Sequence, residues 1–127
     1  MKTPCVICET ADIAHKQGDS VMLVFRVLQH NGLPFDSFPT FDFTVVLFGP
    51  RAIFRKYEYK DGNWGADNDL CDLDTEGYVA IRLQPETTEE MEGRYAAQFV
   101  VSDGETSVQS PIVHAAEFVP SVIHKIA

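Results

Sequence analysis

Apolar side chains recur at every second position in several separate stretches of this chain, a period that belongs to strands with one buried face. Val21, Leu23, Phe25 and Val27 form such a face between Ser20 and Gln29, and Tyr95, Ala97, Phe99 and Val101 form another between Arg94 and Val101. Each is followed by a turn signal, Asn31-Gly32 after the first and Ser102-Asp103-Gly104 after the second. Phe41, Phe43, Val45 and Leu47 alternate with Asp42, Thr44, Val46 and Phe48, and Gly49-Pro50 ends that run. Val79, Ile81 and Leu83 alternate up to Pro85. Ala52 to Lys60 mixes charge with aromatics, Ile53, Arg55, Tyr57 and Tyr59 lying opposite Phe54, Lys56, Glu58 and Lys60, which predicts an edge or an exposed sheet face.

The remaining segments are weaker. Thr3 to Ala14 is a mixed apolar stretch before the polar turn Lys16-Gln17-Gly18-Asp19. Pro34 and Pro39 bracket an irregular crossing loop, because proline lacks an amide donor and biases its predecessor toward extended backbone. Asp61 to Gly77 reads as a long loop with a short strand around Leu70 to Leu73. Thr87, three positions before Glu90, has the spacing to cap a single helical turn, and Gly93 frees the backbone to enter the Tyr95 strand. A last strand from near Thr106 to Phe118 passes Pro111, which belongs at an edge or a bulge. Seven or eight short strands, turn signals about every ten residues and no lasting 3.6-residue period predict an all-β antiparallel sandwich, with a small barrel as the structural alternative.

At 127 residues the chain is expected to form one domain over 1–127 with extended termini. No apolar run approaches the roughly twenty residues needed to span a membrane, and Pro4, Glu9 and Asp12 interrupt any secretory signal, so neither a membrane nor classical export is expected. A formal charge of −9 disfavours nucleic acid, whose phosphates are bound by displacing counterions with Lys and Arg. Cys5, Cys8 and Cys71 are an odd number and predict reduced thiols. The Cys5-x-x-Cys8 spacing has no second pair to complete a metal site and reads as strand packing.

The order of these signals carries a resemblance. Gly18-Asp19, an alternating strand, Asn31-Gly32-Leu33-Pro34-Phe35-Asp36, a second strand, a long loop, Asp74-Thr75-Glu76-Gly77, Pro85-Glu86-Thr87-Thr88, Gly93-Arg94-Tyr95 and Ser102-Asp103-Gly104 follow one another from Gly18 to about Val119. This order resembles the immunoglobulin-like domain at the N-terminus of phage baseplate upper proteins and in related small virion proteins. The resemblance implies an immunoglobulin-like β-sandwich without a cofactor, made in the bacterial host cytoplasm and incorporated into the virion, in the tail, baseplate, neck or head. It implies other virion proteins and a homo-oligomer as partners. Tyr95 after Gly93 stands where such domains place a corner tyrosine; two positions on, where antibody domains have a cysteine, this chain has Ala97, so no intersheet disulfide is expected.

Site chemistry is sparse. Asp72, Asp74 and Glu76 begin like a calcium loop, but the twelfth position is Leu83 instead of a bidentate acid, and the motif fails. His15, His30, His114 and His124 lie in separate segments with no nucleophile motif near them, and Glu89, Glu90 and Glu92 on one short turn cannot flank a sugar as a glycosidase pair must. No enzymatic activity is therefore expected. Two aromatic groups are candidates for partner binding. Phe35, Phe38 and Phe41 around two prolines must either cap the sandwich or meet a neighbouring subunit. Trp64 with Tyr57 and Tyr59 forms either an edge packed beneath its own loop or a platform for a partner or sugar, the latter making the chain a carbohydrate-binding or host-adhesion module. A bacterial intracellular interaction domain is a third reading, because fold alone does not set function.

Overall fold

The computed structural model describes residues 4–10, 14–29, 31–33, 42–65, 70–73, 77–102 and 105–120. Eleven strands and one helical turn are present among them. The alternating runs become the long strands: β3 (Val21–Leu28), β4 (Asp42–Phe48), β5 (Ile53–Lys60), β8 (Tyr78–Leu83) and β9 (Gly93–Ser102). Shorter strands flank them, β1 (Cys5–Cys8), β2 (Ala14–Lys16), β6 (Asn63–Trp64), β7 (Leu70–Leu73), β10 (Ser107–Gln109) and β11 (Val113–Val119). No helix among the described residues is long and apolar enough to cross a membrane.

The strands form two sheets. One is fully antiparallel with the order β1-β3-β8-β7; the other has seven strands in the order β2-β11-β9-β4-β5-β6, with β10 also on β9. Numbered as letters along the chain, these are A-B-E-D and G-F-C-C′, the strand order of an immunoglobulin-like sandwich. The sheet is mixed at one margin, since β2 pairs with β11 in parallel while its other ladders are antiparallel. The chain thus leaves one sheet after β1 and joins the other at β2.

Between the sheets lie the predicted faces. Val21, Leu23, Phe25 and Val27 from β3 and Val79, Ile81 and Leu83 from β8 meet Phe43, Val45 and Leu47 from β4 and Tyr95, Ala97, Phe99 and Val101 from β9. Phe25 and Phe99 cross the layers edge to face at 5.4 Å, a favoured geometry because ring edges are positive and ring faces negative. The Cys8 thiol spans the layers at one flank, donating to the Ala115 carbonyl at 3.4 Å, and all three cysteines are free thiols.

Two bulges change the predicted facing. In β5, Leu47 pairs with Arg55 and Phe48 with Ile53, so Phe54 is an extra residue. Phe54 turns inward, Ile53 is exposed, and Arg55 and Lys56 both face solvent before Tyr57 and Tyr59 return to the core. In β11, Ala115 is the extra residue, which brings Phe118 inward while Ile112 and His114 face out. Pro111 sits in the break between β10 and β11, where Ser110 holds β9: its amide donates to the Phe99 carbonyl and its hydroxyl accepts from the Phe99 amide.

The predicted cap at Thr87 is not formed. The helix, α1 (Pro85–Thr88), starts with proline at its first position after an extended Gln84, with no side-chain cap. Its threonine Thr88 is instead fully buried, accepting from the Gly18 amide at 3.0 Å and donating to the Asp19 carbonyl at 2.8 Å. That pair fastens the helix to the turn before β3. Asp61 to Gly77 is also not one loop, since Asp61 (φ 54°) and Gly62 (φ 81°) make the two-residue turn of a hairpin that pairs Lys60 with Asn63.

Candidate functional site

Tyr95 organises one end of the sandwich. Its hydroxyl accepts a hydrogen bond from the Glu92 amide at 3.1 Å, tying the start of β9 to the segment that precedes it. This is the corner that Gly93-Arg94-Tyr95 led one to expect. The ring rests edge to face on Phe54 at 5.4 Å and on Phe118 at 5.8 Å. Gly49 passes so close that a β-carbon there would lie 3.2 Å from the ring. Burial raises the phenol pKa, and the charges of Glu92 and Glu90 push it the same way, so the hydroxyl stays neutral. Tyr95→Phe is expected to cost about 1–2 kcal/mol, the price of an orphaned amide at a partly buried site, read as a lower denaturant midpoint with unchanged slope.

Beside this corner is an open groove of about 490 Å³. Pro50, Ile53, Phe54 and Tyr95 give it an apolar lining, to which Arg51, Glu90 and Glu92 add charge. Arg55 reaches Glu90 at 3.2 Å and lies 5.0 Å over the Phe54 ring. Both ends of that ion pair are exposed, so it contributes little to stability and is free to exchange partners. The volume is in the range of ligand sites, but the groove is open rather than enclosing. A smaller hollow of about 320 Å³ lies on the outer face of the four-stranded sheet, between Met22, Cys71, Asp72, Ala80 and Arg82.

Of the two readings of Tyr57, Tyr59 and Trp64, a packed edge describes the two tyrosines, while Trp64 is partly buried against the core. Tyr57 is 1% and Tyr59 7% exposed. Tyr59 stacks on Phe43 at 5.0 Å, and Trp64 meets both Phe43 and Tyr59 edge to face at 5.3 Å. The hairpin at Asp61-Gly62 folds the tryptophan back beside Tyr59, where the indole packs, partly buried, against the core. Phe35, Phe38 and Phe41 lie outside the described residues, as do Asp74 and Glu76; Asp72 is exposed on β7.

Among the described residues no three His, Cys, Asp or Glu side chains converge as metal ligands would. His15 lies against Phe118 with ring centres 5.5 Å apart, and burial lowers its pKa despite the opposing charge of Asp19, so the imidazole is neutral at pH 7. His114 is exposed on β11. What the described residues do present at the surface is the corner groove. The groove was not found from the sequence, although Gly49-Pro50 and Gly93, two turn signals far apart in the chain, lie at its rim.

No protein-family model matches this chain, and no curated protein matches it in sequence. Its fold is similar to that of a chain in a structure described as the structural basis of T cell specificity and activation by the bacterial superantigen toxic shock syndrome toxin-1. That match has a TM-score of 0.54 and 13% identity, and covers 91% of this chain and 99% of the other. A second likeness, to the endo-beta-1,4-mannanase from Thermotoga petrophila, has a TM-score of 0.49 and 10% identity over 95% of this chain, which spans only 21% of the length of the mannanase chain. At 13% identity the first likeness speaks for the β-rich fold alone.

Proposed function

We propose that this protein is a non-enzymatic structural component of a phage virion, acting in the tail, baseplate, neck or head by docking onto other virion proteins and onto itself. The observation that carries this reading is the order of turn and strand signals from Gly18 to Val119, which resembles small immunoglobulin-like virion domains. The architecture is of a kind that suits the role: a packed interior between two sheets with an apolar groove at its rim supplies contact surface and rigidity. A net charge of −9 favours partners with basic contact surfaces. The alternative, a carbohydrate-binding or adhesion module, would use Trp64, whose partly buried indole packs on Phe43 and Tyr59.

The test is compositional. Particles purified to homogeneity from an infected host are expected to contain the chain at a fixed copy number that survives washing in high salt. Particles that lack it, from cells in which it is made, sink the reading.

A further inference from the structure

We propose that the groove at the tyrosine corner is a docking site for an extended segment of another protein, one in which an aliphatic side chain is followed by a lysine or arginine. This is the surface through which the docking onto other virion proteins takes place, and in that respect it rests on the reading above.

The apolar part of the site comes from the bulge in β5. Regular pleating sends consecutive side chains to opposite faces. Here Phe54 is the extra residue between the Leu47–Arg55 and Phe48–Ile53 pairs, and the interruption lets two consecutive apolar side chains, Ile53 and Phe54, line one groove. Ile53 is left 51% exposed, while Phe54 is half-buried with its ring against Tyr95. The Gly49 amide donates to the Ala52 carbonyl at 2.8 Å, closing the turn that holds Pro50 in the same lining. An incoming aliphatic side chain finds apolar area to cover here, and covering it removes Ile53 from water. Because the groove is open, it suits a chain lying across it better than a small molecule that must be surrounded.

Charge decides what accompanies that side chain. Glu86, Glu89, Glu90 and Glu92 are all exposed, and no Lys or Arg lies between Leu83 and Gly93. Glu90 and Glu92 line the groove, and their charges are felt within it, since both push the Tyr95 phenol upward. Arg55 already occupies Glu90 at 3.2 Å. Glu92 makes no ion pair among the described residues, so its carboxylate is available to a cation that arrives beside the apolar lining. Arg51 is the one base in the lining and would be repelled by that cation. A second copy of this chain would bring a charge of −9 against −9, so the complementary occupant is a basic segment of a different protein.

The probe is a fluorescein-labelled peptide in which Leu-Lys-Val-Lys is flanked by Gly-Ser at each end, with Leu-Glu-Val-Glu in the same frame as the control. Anisotropy at about 0.1 M salt, where exposed charges beyond about 10 Å are screened, is expected to show saturable binding of the lysine peptide only. Glu92→Lys and Ile53→Ser are each expected to weaken it by about tenfold, the scale of one reversed charge or one aliphatic side chain withdrawn from a contact. Arg51→Glu is expected to tighten it. All three side chains are exposed, so the variants are expected to melt close to the wild type. Asp72→Lys makes the same change in net charge on the other sheet and is expected to alter affinity by less than about twofold. A wild type that does not bind the lysine peptide overturns the proposal, as do equal losses from Glu92→Lys and Asp72→Lys, or binding indifferent to Ile53→Ser. Self-association that Ile53→Ser abolishes gives the groove to a second copy and overturns it too. Peptide binding by a chain absent from particles removes the virion reading and leaves the site; a Glu92→Lys, Ile53→Ser chain incorporated at unchanged copy number does the reverse.

Discussion

Phe99→Ala is expected to cost about 3–5 kcal/mol, the range for deleting a fully buried phenylalanine from a packed core. The residue is 0% exposed at the middle of β9, where its ring meets Phe25 of the opposite sheet at 5.4 Å and Phe43 of the neighbouring strand at 6.2 Å. Few other side chains join the two layers so directly. Its removal leaves a cavity bounded by rings that are themselves held from behind, Phe43 by Tyr59 and Trp64, so the walls cannot collapse to fill it. Domains of this size are stable by about 5–15 kcal/mol in total, so the variant is expected to melt well over ten degrees lower or to populate the unfolded state at room temperature. The adjacent Val100 supplies the control. It points to the outer face of the sheet, and Val100→Ala should cost less than about 1 kcal/mol by chemical denaturation. If the two substitutions cost the same, the inward face of β9 has been assigned wrongly, and with it the contact that closes the sandwich.

That face was legible before any coordinates because nothing interrupts it. On β3, β8 and β9 the period of two runs from end to end, and every apolar residue it selects is buried. On β5 the same rule misled, since one inserted residue at Phe54 reverses the sides and a strict alternation cannot register it. The interruption in the last strand was visible as Pro111, whereas the Ala115 bulge had no signal of its own among small residues. The β5–β6 hairpin was legible and went unread: Asp61-Gly62 is a strong two-residue turn signal, but the acidic stretch behind it suggested one long loop. Folding the chain back in this way is what packs the partly buried Trp64 against Phe43 and Tyr59. Sheet switching between β1 and β2, the parallel pairing of β2 and the groove at the tyrosine corner are long-range facts. Each depends on segments tens of residues apart, and local pattern carries no information about them.

Gly93→Ala is expected to be the second most costly of the single changes considered, at about 2–3 kcal/mol, for two reasons that can be measured separately. Its φ of 93° lies in the region that L side chains rarely adopt, and a β-carbon there would also lie 3.1 Å from Cγ of Pro50. The position tolerates little adjustment. Gly93 is the first residue of β9, paired with Phe118, and lies between the Glu92 amide and the Tyr95 hydroxyl that accepts from it. Rotating φ toward negative values pulls on that bond, and pushing Pro50 away disturbs the turn beside Gly49, where an added β-carbon would stand 3.2 Å from the Tyr95 ring. Gly62 isolates the first cost. Its φ of 81° is similar, but nothing lies within 4 Å of where its β-carbon would stand, so Gly62→Ala should cost only the roughly 1–2 kcal/mol of the left-handed backbone. The excess at Gly93 is then the contact with Pro50, and Pro50→Ala in the Gly93→Ala background should recover part of that excess by removing the atom in the way. Equal losses at Gly93 and Gly62 by urea denaturation would mean that the corner yields freely and that Tyr95 is not held as rigidly as its contacts imply.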